Sequence, residues 1–203
     1  MSPLFTVLFA YSVGERIGEL FLSRRNRALM ASRGFAQREP LSSLGFMAAM
    51  HTAWLLSTLT ESSLLSTQLP SWISLTAAAI FCATQLLRFW TLRTLGTHWN
   101  VSVMTDSASP RAFVSDGPYR FIRHPNYLVV ILEIFSLPLV GGAIFSSLIF
   151  SAINAGVLFF RIRLEERHLR DVPGYWSVMG NKPRFVPLML VRDTAQDPAR
   201  HVG

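Results

Sequence analysis

Residues 117–127 read Gly-Pro-Tyr-Arg-Phe-Ile-Arg-His-Pro-Asn-Tyr and lead directly into the apolar segment Leu128–Val140. This stretch places hydrogen-bond donors and acceptors, and the titratable imidazole of His124, at the mouth of an apolar run. A second charged stretch, Arg-Ile-Arg-Leu-Glu-Glu-Arg-His at 161–168, ends the next apolar run. Ionisable groups are costly at such a depth in a membrane and are usually functional. The first group begins one apolar segment and the second group ends the next, so in consecutive segments that run in opposite directions both groups lie on the same side. This arrangement predicts that they form one site.

The composition is typical of an integral membrane protein. Half of the 203 residues are hydrophobic, 12% are aromatic and only 15% are charged, whereas soluble domains carry about 25% charged residues. The mean hydropathy of +0.34 agrees with this. A chain of this length forms one domain by the usual relation between length and domain number. We therefore expect residues 1–203 to be a single membrane-embedded domain.

The net charge of +7 comes from an excess of arginine that lies in short runs between the apolar segments. No helix-turn-helix, zinc-finger or RNA-binding signature accompanies these arginines, so we expect no nucleic-acid partner. Cys82 is the sole cysteine, which excludes a disulfide within the chain and a cysteine-based metal site. We predict no metal centre. No basic residue precedes the first apolar run, so a cleaved signal peptide is not expected either.

The apolar segments predict an all-α fold with about five transmembrane helices. Three spans lie within residues 1–92. Pro125 is placed to begin the fourth helix, because its missing N–H costs little in a first turn. The predicted spans are Leu4–Leu22, Leu41–Leu59, a run from Pro70 to about Leu92, and the two arms of a tight helical hairpin over 126–164, with the break at Pro138, Gly141 and Gly142.

The distribution of arginine predicts the orientation in the membrane. The loops 23–40 and 93–125 and the tail after 160 hold nearly all the arginines, whereas the loops 60–70 and 138–142 hold none. By the positive-inside rule the N-terminus is outside and the C-terminus is cytoplasmic. Both polar clusters, and hence a cofactor pocket, then face the cytoplasm at the inner membrane of a bacterium. The expected catalytic core is 93–190, and 191–203 are expected to be a disordered tail.

The Arg-His-Pro-Asn-Tyr run at 123–127, followed by Arg-x-x-x-Glu-Glu-x-x-Leu at 161–169, resembles the isoprenylcysteine carboxyl methyltransferase (ICMT) family. The likeness covers about residues 86–187, with both motifs in order and a hairpin between them. Leu95–Asn100, together with Glu133, looks closer to a bacterial branch whose members accompany type III polyketide synthases and O-methylate alkylresorcinols or alkylpyrones. The resemblance implies a membrane enzyme that uses S-adenosylmethionine as methyl donor.

The resemblance also implies roles for individual residues. Glu165 would face the ammonium or sulfonium of the cofactor, and Arg161, one helical turn away, would lie on the substrate side. Met104 departs from the family, since eukaryotic members have a cofactor-contacting glutamine near this position. The implied cofactor pocket comprises Arg111, Ala112, Phe113, Val114, Tyr119, His124, Pro125, Asn126, Tyr127 and Glu165. The implied catalytic residues are His124, Arg161, Glu165 and Glu133, and the implied acceptor site is Trp99, Asn100, Glu133 and Arg161.

The residues alone leave other interpretations open. His124 can cap a helix and bind a lipid phosphate, and Glu165 and Glu166 can pair with neighbouring arginines on a solvated helix end. Glu133, deep in an apolar arm, has either an acceptor-site or a structural hydrogen-bonding role, and without a partner it would be protonated. His51 is expected to form an inter-helix hydrogen bond. Trp99 and Asn100 can line the acceptor pocket or lie at the membrane interface.

The expected reaction is methyl transfer to a lipophilic small molecule that arrives from the bilayer between helices, in contact with membrane lipids. A carboxylate acceptor needs no general base, whereas a phenol or enol must lose a proton, for which His124 or Glu133 is a candidate. The alternatives are a phospholipid N-methyltransferase, an NADPH-dependent enzyme of the sterol reductase type and a non-catalytic membrane subunit. The sequence does not determine the acceptor or the oligomeric state.

Overall fold

The computed structural model describes residues 1–37, 41–65, 67–100, 104–105 and 113–186. It confirms the all-α fold class: apart from a two-residue antiparallel pairing, the regular structure of these residues is helical. The elements in chain order are α1 (Pro3–Ser32), β1 (Ala36–Gln37), α2 (Leu41–Leu64), α3 (Ser71–Leu95), β2 (Met104–Thr105), α4 (Pro125–Val140), α5 (Ile144–Leu169) and α6 (Tyr175–Met179), with short 3-10 turns at Gly96–His98 and Gly117–Arg120.

Helix α1 is longer than the apolar segment from which it was predicted. Its start is fixed by Ser2, whose side chain accepts a hydrogen bond from the Phe5 N–H at 3.2 Å. It continues ten residues beyond Leu22 because the arginine-rich stretch stays helical. The Asn26 side chain in this extension donates to the carbonyls of Gly96 and Trp99, which ties α1 to the turn after α3.

Helices α4 and α5 are joined by three residues, Gly141–Ala143. Pro125 occupies the first turn of α4, as predicted. The prediction that Pro138 breaks this helix is wrong, because α4 continues to Val140. A proline so close to the C-terminal end removes only one of the last hydrogen bonds. The chain turns instead at Gly142, which has a φ of +74° and lies so close to the Thr67 carbonyl that a Cβ would be only 2.4 Å from its oxygen.

Among the described residues, two helices are long and apolar enough to cross a membrane: Ser71–His98 and Ile144–Leu169, with mean hydropathies of 1.4 and 1.6. Pro125–Val140 is apolar but shorter. The polarity of the fold is reversed relative to a soluble protein, since Phe160 is 71% exposed while Arg88 is 1% exposed. Large exposed apolar surfaces on all sides, with charges inside, are what a bilayer requires.

Helix α4 lies at the centre of the bundle. Its Ile134 and Leu137 form the main apolar core with Trp54 of α2 and Phe81 of α3. Glu61 of α2 accepts hydrogen bonds from the N–H groups of Phe145 and Ser146 and so caps the start of α5. These contacts fix the relative positions of α2, α4 and α5, and the cytoplasm-proximal ends of α4 and α5 in the predicted topology carry the polar motifs.

Candidate functional site

A single cavity of about 570 Å³ joins both sequence motifs. Its walls come from helices α1 to α5, from the turn at 95–100, and from the segments 113–127 and 169–179. Ligand pockets have volumes of about 300–1,000 Å³, so this cavity is large enough for a nucleotide-sized molecule.

The loop that precedes α4 has a conformation that only glycine accommodates at its start. Gly117 has a φ of +54°, and a Cβ there would lie 2.2 Å from the Thr94 hydroxyl oxygen. The 3-10 turn that follows, Gly117–Arg120, places Tyr119 in the cavity wall. Burial, with the nearby charge of Glu165 as a second cause, raises the pKa of Tyr119 well above its usual value. Tyr119 therefore presents a neutral phenol at physiological pH.

The C-terminal segment closes over the His-Pro turn. The N–H groups of Arg123 and His124 donate to the carbonyls of Pro183 at 2.9 Å and Arg184 at 3.1 Å. Lys182 Nζ adds a hydrogen bond to the Tyr119 carbonyl at 2.8 Å. Residues 182–184 thus hold the backbone of the first polar segment, 117–127, in place through two main-chain hydrogen bonds and one from the Lys182 side chain.

Glu166 is the anchor of the His-Pro turn. Its carboxylate lies 3.1 Å from His124 Nε2 and 3.1 Å from an Arg123 nitrogen, and it accepts two hydrogen bonds from Arg184, at 3.0 and 2.6 Å. The interpretation of Glu166 as part of a solvated helix end is wrong, because the residue is 5% exposed and surrounded by cationic groups. Since His124 donates through Nε2 to this carboxylate, that nitrogen is not available as a base.

Glu165 bridges the two motifs from the cavity side. It accepts a hydrogen bond of 2.5 Å from the Tyr127 hydroxyl, and the Tyr127 ring stacks on the His124 ring with centroids 5.4 Å apart. The Arg161 guanidinium carbon lies 5.9 Å from the centre of the Tyr127 ring. A carboxylate, a guanidinium and two stacked rings therefore line one wall.

Most of the predicted site residues meet at this cavity. Pro125 begins α4 but is not among the lining residues, and neither is Glu133. Arg111 and Ala112 lie outside the described residues, as does the predicted tail 191–203. Met104 lies in β2, paired with Gln37. The predicted site residues that line the cavity are Trp99, Asn100, Phe113, Val114, Tyr119, His124, Asn126, Tyr127, Arg161 and Glu165.

Glu133 belongs to a buried charge network outside the cavity wall. It is 0% exposed, it is ion-paired with both Arg16 and Arg88, and it accepts a hydrogen bond from Ser12 at 3.2 Å. Of the two roles expected for Glu133, these partners support the structural one. Arg88 also pairs with Glu19, and these partners join α1, α3 and α4. Direct contact of Glu133 with an acceptor in the cavity does not fit this placement.

Several cavity residues were not predicted as site residues. Arg16, Arg24, Arg27 and Asn154 line the cavity, and so does His51, whose ring, within the described residues, bonds only to the Met47 carbonyl of its own helix. The signal that identifies three of them is a polar side chain inside an apolar helix: Arg16, His51 and Asn154 each interrupt an apolar run.

Some buried polar atoms of the wall have no partner within the described part of the chain. They include the indole Nε1 of Trp99 and the side-chain oxygens of Asn100 and Asn154. An unsatisfied buried polar group costs about 1–3 kcal/mol, so these atoms are suited to bind a ligand. The polar sites are spread along the cavity: Asn154 and Glu165 lie eleven positions apart on α5, which is roughly 16 Å along a helix.

The lining fits S-adenosylmethionine, the donor that the sequence motifs imply. Glu165 offers a carboxylate to its ammonium or sulfonium, and Arg24 and Arg27 offer guanidinium groups to its carboxylate. Tyr119 and Phe113 offer apolar ring surface for an adenine. The described residues thus supply each kind of contact that such a molecule needs.

Comparisons with known proteins agree with the motifs. The chain is 33% identical over 168 residues to the uncharacterized protein YpbQ of Bacillus subtilis (strain 168), and the match covers 83% of this chain and 98% of that protein. The sequence profile of the isoprenylcysteine carboxyl methyltransferase family matches residues 77–171, which include both polar motifs. The chain therefore belongs to the isoprenylcysteine carboxyl methyltransferase (ICMT) family.

Proposed function

We propose that this protein transfers the methyl group of S-adenosylmethionine to the hydroxyl oxygen of a lipophilic acceptor, an alkylated phenol or pyrone, at the bacterial inner membrane. The family implies the coarser part of this statement, a membrane methyltransferase that uses S-adenosylmethionine. The observation that carries the proposal is that Glu165 and His124 line the same cavity as the apolar faces of α2 and α5. A polar donor and an apolar acceptor can therefore meet in one cavity.

The acceptor has a path from the bilayer. A groove of about 370 Å³ lies between α2 and α5, and it shares Val157 and Arg161 with the main cavity. Its outer edge includes Phe46 and Phe160, both exposed apolar side chains. Gly156 in the groove has no heavy atom within 4 Å of the position of a Cβ, so the wall is open there. These features support lateral access of an alkyl chain between the two helices.

The proposed topology has five spans, with the N-terminus outside and the C-terminus in the cytoplasm. Helices α1 and α2, with 30 and 24 residues, are long enough to cross a bilayer. The charges of α1 are compatible with a span because Arg16 and Glu19 are directed to partners inside the bundle. In the proposed topology α4 and α5 are the hairpin, and their polar ends, with the donor site, are on the cytoplasmic side, where S-adenosylmethionine is made available.

Catalysis in this arrangement rests on positioning and on exclusion of water. When bound, S-adenosylmethionine supplies an electrophilic methyl group on a positively charged sulfur. Glu165 holds the cationic part of the donor, and Arg161 holds the acceptor side. A hydroxyl acceptor must also lose its proton, so a base that borders the cavity is required.

The test is methyl transfer by the purified protein in lipid nanodiscs, with radiolabelled S-adenosylmethionine and four lipophilic acceptors: an alkylresorcinol, an alkylpyrone, a long-chain fatty acid and phosphatidylethanolamine. We expect the label in an O-methyl ether of the resorcinol or pyrone. Label found only in a fatty-acid methyl ester, or only in N-methylated phosphatidylethanolamine, would contradict the hydroxyl acceptor. Tight binding of NADPH without binding of S-adenosylmethionine would contradict the whole proposal.

A further inference from the structure

We propose that His51 is the general base that removes the proton of the hydroxyl acceptor. This inference rests on the proposed function and deepens it, because it assigns a residue to the step that distinguishes a hydroxyl from a carboxylate acceptor. It also revises the expectation that His51 merely joins two helices.

The hydrogen bond of the His51 ring fixes its tautomer. Nδ1 lies 2.9 Å from the Met47 carbonyl oxygen, which is one helical turn earlier in α2. A carbonyl can only accept, so Nδ1 carries the hydrogen and Nε2 keeps its lone pair. The ring stands edge-on to Trp54, with centroids 6.4 Å apart, which limits its rotation. Within the described part of the chain no residue forms a hydrogen bond with Nε2, and His51 borders the cavity.

The other candidate bases of the site are already engaged. His124 Nε2 is held by Glu166. Glu133 is paired with two arginines away from the cavity wall. Glu165 accepts the short hydrogen bond from Tyr127 and faces the donor. Two histidines of the wall remain, His51 and His98. Of these, only His51 has a ring hydrogen bond within the described residues, and this bond leaves its Nε2 available as the base.

The surroundings of His51 suit a phenol. On α2 it is flanked in the wall by Ala48, Thr52 and Leu55, and Val130 and Val157 line the wall from α4 and α5. These side chains exclude water from an apolar ring or alkyl chain. Arg16 and Glu19 reach the same cavity from α1 and Arg88 from α3. A guanidinium in this place stabilises the negative charge that develops on the acceptor oxygen.

The acceptor O–H bond breaks and its proton goes to His51 Nε2, which becomes part of an imidazolium. A lone pair of the oxygen forms the new bond to the methyl carbon, and the carbon–sulfur bond breaks with its electron pair staying on sulfur. The products are the methyl ether, neutral S-adenosylhomocysteine and one proton, which the imidazolium later releases to water.

The test compares His51→Gln and His51→Ala with the wild type on an alkylresorcinol. We expect kcat to fall by about 10²- to 10⁴-fold, the usual contribution of a general base, while the affinity for S-adenosylmethionine is unchanged. On an alkylated nitrophenol, which is already ionised at the assay pH, we expect a much smaller loss. Added imidazole should restore part of the activity of His51→Ala.

His168→Gln is the matched control. His168 has the same bond from Nδ1 to the carbonyl of the residue four positions earlier, Leu164, at 2.8 Å, but it does not border the cavity. This variant should keep the wild-type kcat on both acceptors. An equal loss in His51→Gln and His168→Gln would show that only helix stability had changed, and it would overturn the assignment.

A second readout needs no catalysis. The alkylated nitrophenol is bound to the protein without S-adenosylmethionine at a pH below its own pKa, where the free phenol is not ionised, and its phenolate absorbance is recorded. We expect a larger ionised fraction in the wild type than in His51→Gln, because the imidazole takes up the proton. Equal fractions, or full activity of His51→Gln on the resorcinol, would overturn the role of His51. If the wild type methylates no hydroxyl acceptor at all, the proposed function fails instead.

Discussion

The Tyr127 hydroxyl donates a hydrogen bond of 2.5 Å to Glu165, a residue 38 positions later in the chain. This bond connects the His-Pro turn at the start of α4 with the polar end of α5. Both side chains line the cavity, so the bond orients the carboxylate that is expected to hold the donor.

Replacement of Tyr127 by phenylalanine removes that bond and leaves the ring in place. A hydrogen bond to a charged group contributes about 1.5–3 kcal/mol. We therefore expect affinity for S-adenosylmethionine, measured by isothermal titration calorimetry, to fall by about tenfold to a hundredfold. Tyr11→Phe is the control, since Tyr11 is exposed and does not line the cavity. Unchanged affinity in Tyr127→Phe would mean that the bond does not orient Glu165.

Glu133→Gln separates a structural role from a catalytic one. The substitution removes the charge of one of the two carboxylates, Glu133 and Glu19, that pair with both Arg16 and Arg88; breaking a buried pair costs about 3–5 kcal/mol. We expect a clearly lower temperature of unfolding in detergent, measured by intrinsic fluorescence. The fraction that remains folded should keep its kcat, because Glu133 does not border the cavity. Normal stability combined with a large loss of kcat would instead restore the catalytic assignment.

Glu166→Gln should loosen the C-terminal segment. The carboxylate holds Arg184, whose carbonyl in turn accepts from the His124 N–H. With this charge removed, we expect faster hydrogen–deuterium exchange at the amides of Arg123 and His124, together with weaker donor binding. Exchange in the middle of α4 should not change. Wild-type exchange at the two amides would show that the main-chain contacts hold the segment without help from Glu166.

Gly156→Leu tests the lateral path for the acceptor. The position is open, so the new side chain fits without a clash and fills the groove between α2 and α5. We expect KM for a long-chain acceptor to rise several-fold, with unchanged affinity for S-adenosylmethionine. Gly18→Leu is the control because Gly18 on α1 is equally open but lies away from both cavities. A KM that does not respond to Gly156→Leu would exclude this path.

The sequence predicted the helices and the meeting of the two motifs because these depend on local patterns. Apolar runs identify spans, and Pro125 marks the start of α4. The two motifs lie at matching ends of adjacent helices, and for this reason His124 and Glu165 border one cavity.

Other contacts depend on elements that are distant in sequence. The partners of Glu133 come from α1 and α3, and those of Glu166 include Arg184 from the C-terminal segment. No periodicity within α4 or α5 indicates these partners. Helix α4 continues through Pro138 because few backbone hydrogen bonds remain between this proline and the end of the helix. The tautomer of His51 likewise depends on one carbonyl oxygen and not on residue type.

The most direct test of the account is the binding of radiolabelled S-adenosylmethionine to Glu165→Gln by equilibrium dialysis. Asp171→Asn is the matched control, since it removes the same charge from an exposed position just after α5. We expect Glu165→Gln to lose at least about tenfold in affinity, the lower end for a hydrogen bond to a charged group, and Asp171→Asn to bind like the wild type. Wild-type affinity in a correctly folded Glu165→Gln protein would contradict the assignment of the cavity as the donor site.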